Sequence, residues 1–170
     1  MHWVHDANLS MMSDADYIVQ IIHHLTTQIH ANATDKRAYF LRGNAYLDQR
    51  SFQLAVADYS RAIELDPQDP VVYNNRGVAY RSCAQAERAI ADYRHALALD
   101  ETYRDAYNNL GLALSDLGEF AEAVRYYNQA IAIDSTYWYA YNHRGMALWA
   151  LGRKEEALRD YEKVKELMGS

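Results

Sequence analysis

Tyr73-Asn74-Asn75-Arg76-Gly77-Val78-Ala79-Tyr80 returns as Tyr107-Asn108-Asn109-Leu110-Gly111-Leu112-Ala113-Leu114 and as Tyr141-Asn142-His143-Arg144-Gly145-Met146-Ala147-Leu148. A fainter copy precedes them, Tyr39-Phe40-Leu41-Arg42-Gly43-Asn44-Ala45-Tyr46. The glycines fall at 43, 77, 111 and 145, so one period is kept throughout without a slip. Such a period marks an array of small units, none of which buries its own apolar face alone.

Outward from each octet the rest of the unit follows. The repeats run over 36–69, 70–103, 104–137 and 138–170, opening at Lys36, Pro70, Arg104 and Trp138. Each octet lies in a first helix, and turns fall at Arg50-Ser51, Ala84-Gln85, Leu117-Gly118 and Leu151-Gly152. Second helices carry Ala55, Tyr59 and Ala62, then Ala89, Tyr93 and Ala96, then Ala123, Tyr127 and Ala130, then Ala157, Tyr161 and Val164. Ahead of them, Tyr17, Ile18, Ile21, Ile22, Leu25 and Ile29 share one face of a helix predicted over 14–30, with Ser13 as N-cap. Ile22, Ile29 and Asn32 stand one period before Val56, Ile63 and Asp66, so this cap-like helix reads as the second half of a unit. Residues 1–12 lack periodicity and are expected to be a flexible segment; 13–170 are expected to form one domain of nine helices.

The repeated columns carry physical information. Glycine inside a helix costs about 1 kcal/mol relative to alanine. Four in one slot imply a neighbour too close for a Cβ, with Tyr39, Tyr73, Tyr107 and Tyr141 expected to fill the space around them. Arg42, Arg76 and Arg144 each have an aspartate at one fixed spacing further on, at Asp58, Asp92 and Asp160. In the third repeat both charges are gone, replaced by Leu110 and Tyr126. Charge that arrives and leaves in pairs predicts structural ion pairs between the two helices of three repeats and an apolar contact in the other. The alternative is that both groups face solvent, where each pair contributes only about 0–1 kcal/mol.

Composition narrows the function. A net charge of −6 argues against nucleic acid, which needs a basic surface. One cysteine, Cys83, excludes an intramolecular disulfide and a multi-cysteine zinc site, and fits a reducing compartment. The N-terminus does not read as a signal peptide, and no window reaches the length of a membrane span, so a cytoplasmic location is expected. Asn8-Leu9-Ser10 and Asn32-Ala33-Thr34 match the glycosylation triplet, which is common by chance. No phosphate loop, zinc helix motif, Cys-x-x-Cys or nucleophile elbow occurs, so no catalytic residue, metal site or cofactor is expected. The pairs His23-His24 and His2/His5 read as solvated surface histidines rather than metal ligands.

These columns resemble the tetratricopeptide repeat. The first repeat matches that family's pattern at Tyr39, Gly43, Tyr46, Ala55, Tyr59, Ala62 and Pro67, and the resemblance covers residues 36–168. Departures are local: the closing proline is missing after the first repeat, and Val164 replaces the last small residue. The resemblance implies an all-α fold, a right-handed α-solenoid of helical hairpins. Its first helices would line a concave groove that binds peptides or helices of other proteins.

Read by spacing, the groove stripe holds Phe40, Leu41 and Asn44 in the first repeat and Asn74, Asn75, Val78 and Arg81 in the second. The third adds Asn108, Asn109, Leu112 and Asp116, and the fourth Tyr139, Asn142, His143, Met146 and Trp149. Asparagine is a mediocre helix former, and no core contact visible in the sequence demands it. A row of amides can hold an extended peptide backbone; alternatively, it ties neighbouring repeats together or is hydrated. Five such bonds at roughly 1 kcal/mol each barely offset an association cost of about 4 kcal/mol or more, so apolar anchors must add to them. Trp149, Tyr139, Met146 and Phe40 are the candidates. A clamp for the acidic tail of heat-shock chaperones, known in this family, is not expected. Asn44 and Asn75 match it, but Phe40, Asp105 and Asn109 stand in the slots for basic residues.

The favoured reading is a non-enzymatic adaptor that binds a protein segment. Two others stand beside it. One is a self-assembling scaffold, joined through a last helix that presents Leu158, Tyr161, Leu167 and Met168; the other is a regulatory or chaperone subunit of a larger complex.

Overall fold

The computed structural model describes residues 13–169. The expectations for residues 1–12, including His2 and His5, lie outside them. Among the described residues there are nine α-helices: α1 (Asp14–Ala31), α2 (Lys36–Asp48), α3 (Phe52–Leu65), α4 (Pro70–Ser82), α5 (Ala86–Leu99), α6 (Arg104–Asp116), α7 (Phe120–Ile133), α8 (Trp138–Ala150) and α9 (Lys154–Met168). The chain divides into two compact units between Pro67 and Gln68. Unit 1 holds α1 to α3 and unit 2 holds α4 to α9. In both, each first helix packs antiparallel to the second helix of its own hairpin, the all-α solenoid plan.

Local chemistry sets the helix limits. Ser13 Oγ accepts from the Asp16 N–H at 3.2 Å, Asp35 Oδ1 from the Ala38 N–H at 3.0 Å and Asp69 Oδ1 from the Val71 N–H at 2.9 Å. These caps satisfy amides that a helix start leaves without partners. The second helices stop at Asp66, Asp100 and Asp134, all extended. Asp100 and Asp134 each accept from the N–H and the hydroxyl of the threonine two residues on. Asn32 does the same with Thr34, so α1 ends with the device of a second helix. Between the helices of each hairpin one residue turns left-handed: Arg50, Ala84, Gly118 and Gly152.

The glycine column has a sharper explanation than the sequence offers. A Cβ on Gly43, Gly77, Gly111 or Gly145 would lie 2.7, 2.6, 2.5 or 2.7 Å from the ring of Tyr59, Tyr93, Tyr127 or Tyr161 respectively. The filler is thus the tyrosine of the second helix, and not the first-helix Tyr39, Tyr73, Tyr107 or Tyr141. Tyr59, Tyr93 and Tyr127 are all but fully buried. In unit 2, Tyr93 and Tyr127 join Leu110, Ala113, Leu114, Ala147 and Leu148 in one apolar cluster.

The arginines bridge the hairpins. Arg42 donates from Nε and Nη2 to both carboxylate oxygens of Asp58, at 2.7 and 2.8 Å. Arg76 grips Asp92 the same way, and Arg144 grips Asp160. The aspartates are only 5–6 % exposed, so each needs its arginine as counter-charge. Arg42 also bonds Thr26 of α1, as Arg144 bonds Asn128 of α7. That match places α1 in the role of a second helix. In the third repeat Leu110 is fully buried, in a cluster against which Tyr126 packs.

Candidate functional site

Unit 2 brings three first helices, α4, α6 and α8, side by side. Their shared stripe carries most of the candidate groove residues, and hydrogen bonds join the polar ones into a row. His143 Nδ1 lies 2.8 Å from Asn108 Oδ1, and Asn108 Nδ2 reaches Asn109 Oδ1 at a long 3.5 Å. Asn109 Nδ2 donates to Asn74 Oδ1 at 2.9 Å, and Asn74 Nδ2 to Asn75 Oδ1 at 3.2 Å. The row crosses from α8 through α6 to α4.

This arrangement supplies the packing reason for the asparagines that the sequence does not show. Asn74 and Asn108 are 5 % and 4 % exposed, and each is bonded to a residue 35 positions on, in the first helix of the next repeat. Their amides tie neighbouring repeats together. Asn75, Asn109 and His143 are half-buried along the same line. Asn142 takes the Asn74 slot in α8, where no further first helix follows among the described residues, and it stays half-buried.

The electrostatics are nearly self-contained. Arg81 of α4 donates from Nε to Asp116 of α6 at 2.6 Å, closing one side of the stripe. Arg104 pairs with Asp105 and with Asp134, which ties it down too. Burial holds the His143 imidazole below the ordinary histidine range, and the nearby Arg81 charge adds to that. His143 also faces the rings of Tyr127 and Tyr139, at 5.9 and 6.5 Å. Underneath, the Tyr127 hydroxyl lies 3.2 Å from Ser115 Oγ, and burial pushes its pKa up to about 12. The buried Tyr93 hydroxyl has no partner among the described residues, because the slots that serve its equivalents hold Val78 and the Asp116-bound Arg81.

What the stripe leaves open is apolar. Tyr139, Met146 and Trp149 of α8 are 46, 59 and 48 % exposed. Tyr139 stacks on Trp138 at 3.7 Å between centroids, and Lys154 Nζ sits 5.4 Å from the Trp149 ring. In unit 1, Phe40 is half-buried beside Tyr59, with centroids 6.1 Å apart. Asn44 accepts the Tyr59 hydroxyl at 2.7 Å. Sequence reasoning does not find the Arg81–Asp116 pair or the Asn108–His143 contact; a spacing of 35, one period plus one, is the available signal.

No group of three or more metal-ligating side chains occurs among the described residues. No described helix is long and apolar enough to cross a membrane.

Comparison with known proteins agrees with the geometry. No curated protein matches the chain in sequence. Among solved structures, MamA superposes with a TM-score of 0.82 at 24 % identity, over 93 % of this chain and 96 % of that one. YrrB, described as a TPR protein with an unusual peptide-binding site, gives 0.75 at 17 % identity, over 95 % and 83 %. These two likenesses concern the fold alone. The first TPR of Spaghetti (RPAP3), bound to the HSP90 peptide SRMEEVD, gives 0.67 at 27 % identity, over 69 % and 93 %. Profiles described as TPR repeat match residues 43–82 and 79–118, and profiles described as tetratricopeptide repeat match 105–137 and 138–169. With a repeat period, a hairpin plan and a profile match that coincide along most of its length, this chain belongs to the tetratricopeptide repeat family.

Proposed function

We propose that the chain is a non-enzymatic adaptor, acting in a reducing compartment, and that unit 2 binds a segment of a partner protein along α4, α6 and α8. The observation that carries this reading is the exposure of Tyr139, Met146 and Trp149 on the stripe that also holds the amide row. Three large apolar side chains at one end of a polar stripe form the kind of anchor that dominates protein recognition. The amides are already engaged with one another, so they orient a ligand and contribute little affinity. The partner segment therefore offers an apolar or aromatic side chain to α8 and backbone groups to Asn75 and Asn109. The first TPR of RPAP3 is described as bound to the HSP90 peptide SRMEEVD; here Phe40, Asp105 and Asn109 stand in the slots where the family's clamp for acidic tails needs basic residues, so a different segment is bound.

The test is selection from a random peptide library on the intact protein, followed by titration of the selected peptides. Tyr139→Ser/Met146→Ser/Trp149→Ser should weaken them at least about tenfold, since each lost anchor is worth about 1 kcal/mol or more. Unchanged affinity in that variant, with helicity intact, sinks the assignment.

One observation favours self-association as a second reading. Leu158 and Met168 of α9 are 52 % and 60 % exposed, whereas Val124, one period before Leu158, is 7 % exposed. Sedimentation across a concentration range distinguishes the two, because a strict monomer removes this reading.

A further inference from the structure

Unit 1 contains an apolar groove between α1 and α2, lined chiefly by Tyr17, Ile18, Ile21, Leu25, Leu41 and Ala45. Tyr17 and Leu41 are 54 % and 38 % exposed there. Unit 2 holds an equivalent pair of helices whose groove is filled. Moved on by two periods, residues 18–31 of α1 fall on α5, and α2 falls on α6 end for end. There α4 covers the surface. Ala89, Tyr93 and Ala113, the equivalents of Ile21, Leu25 and Ala45, are fully buried, and Gly77 of α4 lies on the Tyr93 ring. The groove of unit 1 therefore has the shape of a helix.

Its chemistry departs from the α5–α6 surface in three places. Leu25 is smaller than Tyr93, so a side chain fits where α4 has only glycine. His24 replaces Asp92, so the carboxylate that Arg76 grips is missing. Asp48 keeps the slot of Asp116, the acid that Arg81 of α4 bonds at 2.6 Å. Yet Asp48 is exposed on the groove wall and has no ion pair among the described residues. A short turn joins α1 to α2, so the start of one lies beside the end of the other, and Asp14 and Asp16 of the first α1 turn add to the acidity there.

We propose that this groove is a second docking site, which binds an amphipathic helix of a partner protein, seated parallel to α2 with its C-terminal turn at Asp48. An apolar floor offers little to the backbone of an extended peptide, whereas a helix satisfies its own N–H and C=O groups and brings only an apolar stripe. The match to α4 defines that stripe. The helix sets an apolar side chain against Leu25, in the place of Gly77, and an arginine or lysine four residues later against Asp48, in the place of Arg81. It needs no base in the Arg76 slot, because His24 carries no carboxylate. The site lies wholly in unit 1 and does not depend on the stripe of α4, α6 and α8.

The experiment selects a displayed library of single amphipathic helices on the full chain and titrates the recovered helices as synthetic peptides. They should carry arginine or lysine four residues after an apolar position. Leu41→Glu, or Tyr17→Glu if the first variant loses helicity, should weaken them at least about tenfold. Tyr139→Ser/Met146→Ser/Trp149→Ser should leave them unchanged. Selection on Asp48→Lys should exchange the basic residue for glutamate or aspartate. The proposal is overturned if no recovered helix responds to either groove variant, or if Asp48→Lys recovers the same basic residue. The first of these results also follows where residues 1–12 or a second copy already take the seat, and a dimer that Leu41→Glu dissociates in sedimentation identifies the second copy.

Discussion

A Cβ added to Gly111 would stand 2.5 Å from Cε1 of Tyr127 and 2.8 Å from its Cζ. Real side-chain carbons do not approach so closely. The glycine and the tyrosine are one packing decision, made once per repeat on two different helices.

Gly111→Ala should therefore destabilise despite its better helix propensity. Overpacking costs about 1–3 kcal/mol and the propensity gain returns about 1 kcal/mol, leaving a net loss of about 1 kcal/mol. In a Tyr127→Leu background the same change should cost nothing or stabilise. Urea denaturation of the four proteins reads the cycle, and an identical effect of Gly111→Ala in both backgrounds would refute the pairing.

Arg76 and Asp92 form a similar unit in charge. Arg76→Leu alone leaves a carboxylate that is 6 % exposed without its partner, at a cost of about 2–3 kcal/mol. The third repeat shows the compensation, with Leu110 and Tyr126 in those slots. Arg76→Leu/Asp92→Tyr should recover at least half of the loss. Additive single effects would mean that the two residues do not act together.

His143 makes the array sensitive to acid. Burial lowers its folded-state pKa below the ordinary value of 6.5. As pH falls through 6.5 the unfolded chain takes up a proton that the folded chain refuses, so stability drops with added acid until the lower folded value is passed. The two earlier repeats hold Asn75 and Asn109 in this slot. His143→Asn should keep stability near neutral pH and lose less of it between pH 7 and 5 than the unaltered protein does. Parallel pH profiles of the two proteins would contradict this.

The tyrosine hydroxyls differ by repeat. Those of Tyr59 and Tyr127 are bonded, to Asn44 and with Ser115, whereas that of Tyr93 is buried without a partner among the described residues. Tyr127→Phe should cost about 1 kcal/mol, and Tyr93→Phe should be neutral or stabilising because it removes an unmet desolvation penalty. Equal losses in thermal melts would show that the Tyr93 hydroxyl is satisfied in solution.

Much of this is legible in the sequence. Repetition at one spacing identifies helices, turns and hairpins, because each unit solves the same packing problem with the same residues. Arg42, Arg76 and Arg144 can be matched to their aspartates because substitutions occur in pairs. The glycine column is ambiguous in one respect: Tyr39 and Tyr59 are both aromatic at helical spacing, and only the rotation of the two helices decides which ring lies over Gly43. The asparagines are harder. Asn74 meets Asn109 and Asn108 meets His143 across a period plus one residue, a contact whose chemistry differs at each step and leaves no constant column.

The polarity of that amide row has a consequence of its own. Asn108, Asn109 and Asn74 each donate from nitrogen toward the α4 end, so His143 Nδ1 must be the donor at the other. Turning over Asn74, Asn108 or Asn109 alone would set oxygen against oxygen on one side and N–H against N–H on the other. The side chains can reverse only in concert, and five residues on three helices share a single binary setting. A ligand that fixes the orientation at one end has already chosen it at the other.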